Sequence, residues 1–358
     1  MGYEDKVRRV IPYTPGEQPR GKVIKLNTNE CPYPPSPKVT EAIRNLEISD
    51  LRKYPDPLCS ALNSAIAEHY GVNEDQVFTG VGSDDVLSMI FLTFFNGSDP
   101  VLFPNITYSF YDVWASVYGI PYKTVALRED FTLDPTEYLN TVNGGIVLAN
   151  PNAPTGIAEE YSVIRDIIEA NPDSMVVVDE AYIDFGGETV LPLLKDHENL
   201  IIVRTMSKSR ALAGIRAGYA IANSRAIKYL NDVKYSVNSY TMNTAALVAA
   251  KAAIEDEAYF KEITEKIIKT REETKKELRE LKFLFGDSKT NFVFARHEGV
   301  RPGESSADFA RRIFEGLKER GIFVRYFNKP IINEYLRITI GTEEEMKALF
   351  AVLKELMA

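Results

Sequence analysis

Soft metal ligands are scarce in this chain of 358 residues: two cysteines, Cys31 and Cys59, and three histidines, His69, His197 and His297, each standing alone. No spacing suits zinc or a cluster, so no metal is expected, and two isolated thiols fit a reducing, cytoplasmic setting. Basic residues are outnumbered, 42 Lys+Arg against 51 Asp+Glu, and the net charge of -9 argues against the counterion-releasing grip of a nucleic-acid binder. Long apolar runs are missing too. The longest, Met89 to Phe95, is interrupted by Thr93 and far too short for a bilayer. The N-terminal MGYEDKVRR has no apolar region behind it, so neither a targeting segment nor a membrane partner is expected. There is no repeat or low-complexity tract. What the chain does have is length and 45% hydrophobic residues, enough for two domains with sizeable cores.

Proline marks the first boundary. Pro12, Pro15, Pro19, Pro32, Pro34, Pro35 and Pro37 crowd residues 1–37, which read as an extended arm rather than a helix or a central strand. Helical segments then alternate with short β-branched runs at Val101-Phe103, Ile146-Ala149, Met175-Val178, Leu200-Val203 and Gly218-Ala222, the pattern of a buried parallel sheet. A long charged helix near Glu255-Leu281 leads to strands at Phe292-Ala295, Ile322-Arg325 and Leu336-Ile340. Helices opened by Ser305 and near Glu343 accompany them. The expected architecture is α/β: a three-layer large domain with a mostly parallel sheet over residues 38–270, and a small α+β domain of residues 271–358 joined by the arm.

Three of the apolar runs end in Asn150, Asp179 and Arg204-Thr205, which places a ligand at the carboxyl ends of the strands. Lys208 follows such a strand, where desolvation favours the neutral amine and makes it a Schiff-base nucleophile. Arg216, eight residues on and beyond Gly214, brings a planar fork suited to phosphate, with hydroxyls from Thr205 and Ser207. An ordinary strand-to-loop transition with two surface cations is the competing reading. Asp179 must be paired where it lies, and a protonated pyridine nitrogen is a good partner; a helix cap or a structural salt bridge is the alternative. Gly80-Val-Gly82-Ser83-Asp84 opens a helix whose free N–H groups favour an anion, or is a plain cap. Asn150-Pro-Asn152-Ala-Pro-Thr-Gly156 makes a rigid turn, and Tyr108 is either a ring laid over a flat cofactor or a core aromatic.

In order, spacing and strand context, these segments resemble the fold-type I pyridoxal-phosphate enzymes of the aminotransferase superfamily over nearly the whole chain. Within it, Leu26-Asn-Thr-Asn29-Glu30, Tyr54-Pro55-Asp56, Asp179-Glu-Ala-Tyr182-Ile-Asp-Phe185 and Leu336-Arg337-Ile-Thr-Ile-Gly341 are similar to the histidinol-phosphate aminotransferase family. The resemblance implies pyridoxal 5'-phosphate as cofactor, Lys208 as its Schiff-base lysine, Asp179 at the pyridine nitrogen, Tyr182 at the phenolic oxygen and Tyr108 stacked on the ring. It implies phosphate contacts from Ser83, Asp84, Thr205, Ser207 and Arg216, and from Tyr54 reaching across a homodimer with shared active sites. The family's asparagine before Pro-Thr-Gly is here Ala153, so Asn152 is the candidate substitute.

The implied reaction moves an amino group between a phosphorylated amino alcohol, L-histidinol phosphate, and the 2-oxo acid 2-oxoglutarate. Asn29 of the first motif is placed with the substrate, as are three residues suited to an anion: Arg325 closing one strand, Arg337 on another, and Tyr13 on the arm. Competing activities are a threonine-phosphate decarboxylase type of lyase, an aromatic amino-acid aminotransferase, and a non-catalytic cofactor-binding regulator. The first is disfavoured because Tyr326-Phe327-Asn328 lacks its acidic-cysteine pairing, and the last because Lys208 is present with no DNA-binding domain.

Overall fold

A computed structural model describes residues 2–139 and 141–358. The β-branched runs do form strands. A seven-stranded sheet collects β2 (Val77–Gly80), β3 (Val101–Pro104), β4 (Tyr122–Val125), β5 (Gly145–Ala149), β6 (Val176–Asp179), β7 (Leu200–Thr205) and β8 (Gly218–Ala222), in the order β2-β8-β7-β6-β5-β3-β4. One expectation needs correction. The run Gly218–Ala222 is not parallel to the others: β8 pairs antiparallel with both β7 and β2. An apolar run records burial on two faces but not direction, and β8 follows β7 through a loop of twelve residues rather than a crossover helix.

Because strand side chains alternate, the sheet feeds two cores. Val176, Val178, Leu200 and Ile202 enter one with Leu62 of α2 (Ser60–Tyr70), Ile164 of α6 (Tyr161–Ala170) and Ala249 of α8 (Thr244–Ile254). Val177, Ile201 and Val203 enter the other with Leu87 of α3 (Ser83–Phe94), Trp114 of α4 (Tyr111–Tyr118) and Leu230 of α7 (Ser224–Val237). This parity decides which way the strand-end residues face. Asp179 and Thr205 continue the α3/α4 side, whereas Glu180 and Arg204 continue the other. The short helices α1 (Pro37–Arg44) and α5 (Thr136–Leu139) complete the surround.

The second sheet has the order β1-β11-β12-β10-β9. It comprises β9 (Leu284–Phe285), β10 (Phe292–Arg296), β11 (Ile322–Tyr326), β12 (Tyr335–Thr339) and, from the proline-rich arm, β1 (Ile24–Leu26), which pairs parallel with β11. Its apolar face packs on α10 (Ser306–Glu319), capped by the Ser305 hydroxyl, and on α11 (Glu343–Met357), where Thr342 and Glu345 form a capping box. The long helix α9 (Glu257–Glu280) runs unbroken past residue 270, burying Ile263, Ile267, Thr274 and Leu278 on one stripe. Among the described residues no helix is long and apolar enough to cross a membrane.

Candidate active site

Where β5, β6 and β7 end, a cleft of about 280 Å³ opens, lined by Ser83, Asp84, Tyr108, Asp179, Tyr182, Thr205, Ser207, Lys208 and Arg216, together with Thr28, Glu30, Ala149 and Ala153. A second chamber of about 140 Å³ shares Thr28, Tyr108, Ala153, Tyr182 and Lys208 with it and adds Tyr13, Asn29, Arg325 and Arg337. Lys208 stands at the junction. Its Nζ donates to the Thr28 carbonyl at 3.2 Å and lies 5.8 Å from the centre of the Tyr182 ring. The Tyr182 hydroxyl accepts from Asn29 Nδ2 at 2.8 Å, while the other amide atom of Asn29 accepts from Thr339 at 3.0 Å. Asn29 reaches this position with φ 55, a left-handed conformation that asparagine tolerates better than most residues.

On the floor, the Asp179 carboxylate is buried, accepts from the Tyr111 hydroxyl at 2.9 Å and the Ala181 amide at 3.1 Å, and forms no ion pair among the described residues. Burial pushes it up to about 6, against the hydrogen bonds from Tyr111 and Ala181 that pull it down. A buried carboxylate with neutral donors and a cleft before it lacks one thing, a cation, and a protonated ring nitrogen fits. In the sequence Tyr111 stands out only as the end of the Tyr108 motif. Its role shows itself when the first turn of α4 brings its hydroxyl 68 positions along the chain to Asp179.

At the other end, α3 begins at Ser83 behind Gly82, whose φ of +87 and missing side chain admit the Arg216 guanidinium; a Cβ at residue 82 would sit 2.5 Å from Nη2. Gly218, at the start of β8, lets the strand lie against the backbone of Gly82 and Ser83. Arg216 itself has φ 60, an unfavourable conformation for a long side chain, of the kind that persists where function holds it. Arg216 donates to Ser207 Oγ at 3.4 Å, and Thr205 Oγ1 donates to the same atom at 3.0 Å. Free N–H groups at the start of a twelve-residue helix, a guanidinium and two hydroxyls make a cup suited to an anion such as phosphate. Asp84 also borders it, but as an acceptor: from the Tyr108 hydroxyl at 2.7 Å and from Arg216 Nη2 at 3.2 Å.

Four expected residues are not brought together with these. Asn152 lines neither chamber: its amide donates to the Ile106 carbonyl and to Thr155 Oγ1 and accepts from Thr107, so it holds the turn and leaves no hydrogen for a ligand. Tyr54 is 81% exposed and stacks on Tyr240, away from the cleft of its own chain. Arg204 faces the opposite side of the sheet and pairs with Glu180. Asn150 likewise serves its turn, accepting from the Glu159 amide.

In the second chamber Arg325 and Arg337 are direct partners across the β11–β12 ladder, and neither forms an ion pair among the described residues. Like charges facing across a ladder repel, so the arrangement asks for an anion between them. Arg337 is sandwiched by Phe292 and Phe327, its ring-to-guanidinium distances 5.2 and 5.5 Å, and desolvation pushes it below its ordinary value. Arg325 donates to the Thr14 and Pro15 carbonyls, and Tyr13 stacks on Phe110 at 4.2 Å, so the arm closes this chamber.

The family described as aminotransferase class I and II matches residues 21–353. The chain belongs to this family. The aminotransferase is 49% identical to a histidinol-phosphate aminotransferase of Clostridium beijerinckii over 99% of this chain and 97% of that protein. It is 51% identical to one of a Marinomonas species over 99% of both. Among solved structures it resembles histidinol-phosphate aminotransferase from Sinorhizobium meliloti in complex with pyridoxal-5'-phosphate, with a TM-score of 0.84 and 28% identity over 94% of this chain and 91% of that one. Its α/β architecture, with a mostly parallel sheet, is that of the fold-type I aminotransferases.

Proposed function

We propose that this aminotransferase moves an amino group between L-histidinol phosphate and 2-oxoglutarate, giving imidazole acetol phosphate and glutamate in histidine biosynthesis. The observation that carries the substrate is the facing pair Arg325 and Arg337, without acidic partners among the described residues, in the chamber that Lys208 also lines. Pyridoxal phosphate supplies, when bound, an aldehyde that receives the amino group and a ring that draws electrons from the bond to the α-hydrogen.

The chain's own residues divide the remaining work. Ser83, Thr205, Ser207 and Arg216 hold the cofactor's phosphate, and Asp179 keeps a proton on its ring nitrogen. Tyr182, oriented by Asn29, donates its hydroxyl toward the phenolic oxygen, and Tyr108 covers the ring. Lys208 would hold the cofactor between turnovers, and its amine, free once the substrate's amine takes its place, would remove and return the proton at the substrate's α-carbon as base and acid. Arg325 and Arg337 grip the phosphate of histidinol phosphate in one half-reaction and the distal carboxylate of glutamate or 2-oxoglutarate in the other, because a guanidinium fork accommodates both anions. The arm, with Tyr13, shields the bound substrate from water.

The proposal extends to the assembly. The enzyme works as a cytoplasmic homodimer in which Tyr54, exposed on its own chain, reaches the phosphate of the neighbouring site. Residues 38–270 form the lobe that binds the cofactor, and residues 271–358 with the arm form the lobe that closes on it.

Arg325→Ala and Arg337→Ala are each expected to raise KM for histidinol phosphate about ten- to a hundredfold, since a charge-assisted contact contributes about 1.5 to 3 kcal/mol. Cofactor affinity should hold within about twofold, and Arg337→Ala should also weaken glutamate. Steady-state kinetics with histidinol phosphate, phenylalanine and threonine phosphate, with and without 2-oxoglutarate, checks this. Unchanged KM for histidinol phosphate in both variants would move the aromatic reading ahead, and carbon dioxide release without 2-oxoglutarate would favour the lyase.

A further inference from the structure

The far side of β6 and β7 carries a charge network that the proposed chemistry leaves unused. Arg204 and Glu180 face away from the cleft and form a buried ion pair, Nη2 to Oε2 2.7 Å. The guanidinium also donates to Thr189 Oγ1 at 2.8 Å and to the Tyr70 hydroxyl at 3.1 Å, while Glu180 accepts from the Thr189 hydroxyl and the Val190 amide. That satisfies the pair and clamps the strand ends. One more charge approaches it: Asp184 Oδ1 lies 3.8 Å from Arg204 Nη1. Asp184 is two residues past Tyr182, and its other oxygen accepts the hydroxyl hydrogen of buried Ser209, the residue after Lys208, at 2.5 Å.

Strand pairing between β6 and β7 is complete without this last contact, through Asp179 and Val203. Yet among the described residues it is the one side-chain hydrogen bond that joins the loop bearing Lys208 to the loop bearing Tyr182. The lysine side chain is long and flexible, so the position of its backbone decides where Nζ can reach, and a misplacement of about 1 Å costs roughly a hundredfold in rate.

We propose that Asp184 is a positioning residue for Lys208: braced from behind by Arg204 and holding Ser209 in front, it fixes the lysine loop against the Tyr182 turn. Asp184 touches neither substrate nor cofactor; it acts through Ser209. The inference rests on Lys208 being the cofactor-bearing lysine.

The test compares cofactor-loaded Ser209→Ala, Asp184→Ala, the double variant and Ser209→Thr. Glutamate is the amino donor, so histidinol phosphate plays no part. Each single variant to alanine should lower the single-turnover rate about tenfold or more, with KM for glutamate within about twofold. The double variant should fall no more than about twofold further, because both changes break one link. The pH midpoint of the bound cofactor's visible absorbance should move in the same direction in all three, and Ser209→Thr should recover the rate. Additive losses, or an unmoved midpoint, overturn the proposal. Ser209→Ala removes a single buried oxygen, so that variant and its threonine rescue decide the matter even if Asp184→Ala folds poorly. Borohydride trapping on the parent chain separates the two layers. If the cofactor is not fixed to Lys208, the lysine assignment falls and takes this role with it, whereas a trapped Lys208 with an unmoved midpoint overturns Asp184 alone.

Discussion

Lys208→Ala is expected to fold, to take up pyridoxal phosphate and to lose turnover by roughly 10⁴-fold or more. Folding should survive because the side chain faces the two chambers, and its amine makes a single bond, to the Thr28 carbonyl. Turnover should not, because in the proposed mechanism the same Nζ is both the point of covalent attachment and, among the described residues, the only amine lining the first cleft. Two measurements check it: borohydride reduction followed by peptide mass analysis, which should show the cofactor's mass on Lys208 of the parent chain and none in the variant, and the steady-state rate. A variant working near the parental rate would place the chemistry on another residue.

Asp179→Asn should keep the cleft's shape while lowering the rate by about 10²- to 10⁴-fold, since an amide cannot hold a proton on a ring nitrogen. A second consequence has the opposite sign. In protein stripped of cofactor, the Asp179 carboxyl titrates near 6 in the folded chain and near 3.8 in the unfolded one. Between about pH 4 and 6 the folded chain therefore keeps a proton that the unfolded chain has released, and stability falls as pH rises through that window. The gap between those two midpoints corresponds to roughly 3 kcal/mol lost by neutral pH. Stripped Asp179→Asn should melt above the stripped parent at pH 7 and show a flatter profile from pH 4 to 6, whereas with cofactor bound the order should reverse. Thermal melts across that range test it, and a stripped variant no more stable than its parent would remove the buried-charge argument.

The parts of this protein that can be read from the chain are those whose signal is local. Val176-Val177-Val178 announces a strand buried on both faces, and a carboxylate directly after it has few bland explanations. Lys208 follows Leu200–Thr205 in the same way, and Ser305 announces α10. The direction of β8 is not legible, because antiparallel and parallel strands bury the same residues. Nor are β2, which ends in Thr79-Gly80, and β4, whose first three residues are exposed. In the site, Tyr111 and Asp184 escape because each matters through one partner distant in sequence or on the far side of a sheet. Asn152 misleads for a related reason. A turn-forming asparagine and a ligand-binding one look alike until the hydrogen bonds of its amide are counted, and here Ile106 and Thr155 take both hydrogens.

Under the proposed substrate assignment, the arginine pair across β11 and β12 makes selectivity a matter of the solution as well as of the pocket. Two positive groups on one rung reward a ligand for every negative charge it brings, so a dianionic tail gains more from them than a carboxylate, and an uncharged aromatic ring gains none of this ion–ion attraction. That reward is Coulombic and reaches a partly exposed cleft, and mobile ions weaken it as the Debye length shrinks from about 10 Å at 0.1 M salt to about 3 Å at 1 M. Shape and ring stacking are not screened in this way. Preference for a phosphorylated substrate over a neutral one of the same bulk should therefore narrow steadily in brine, leaving an enzyme whose chemistry is intact and whose taste is broader.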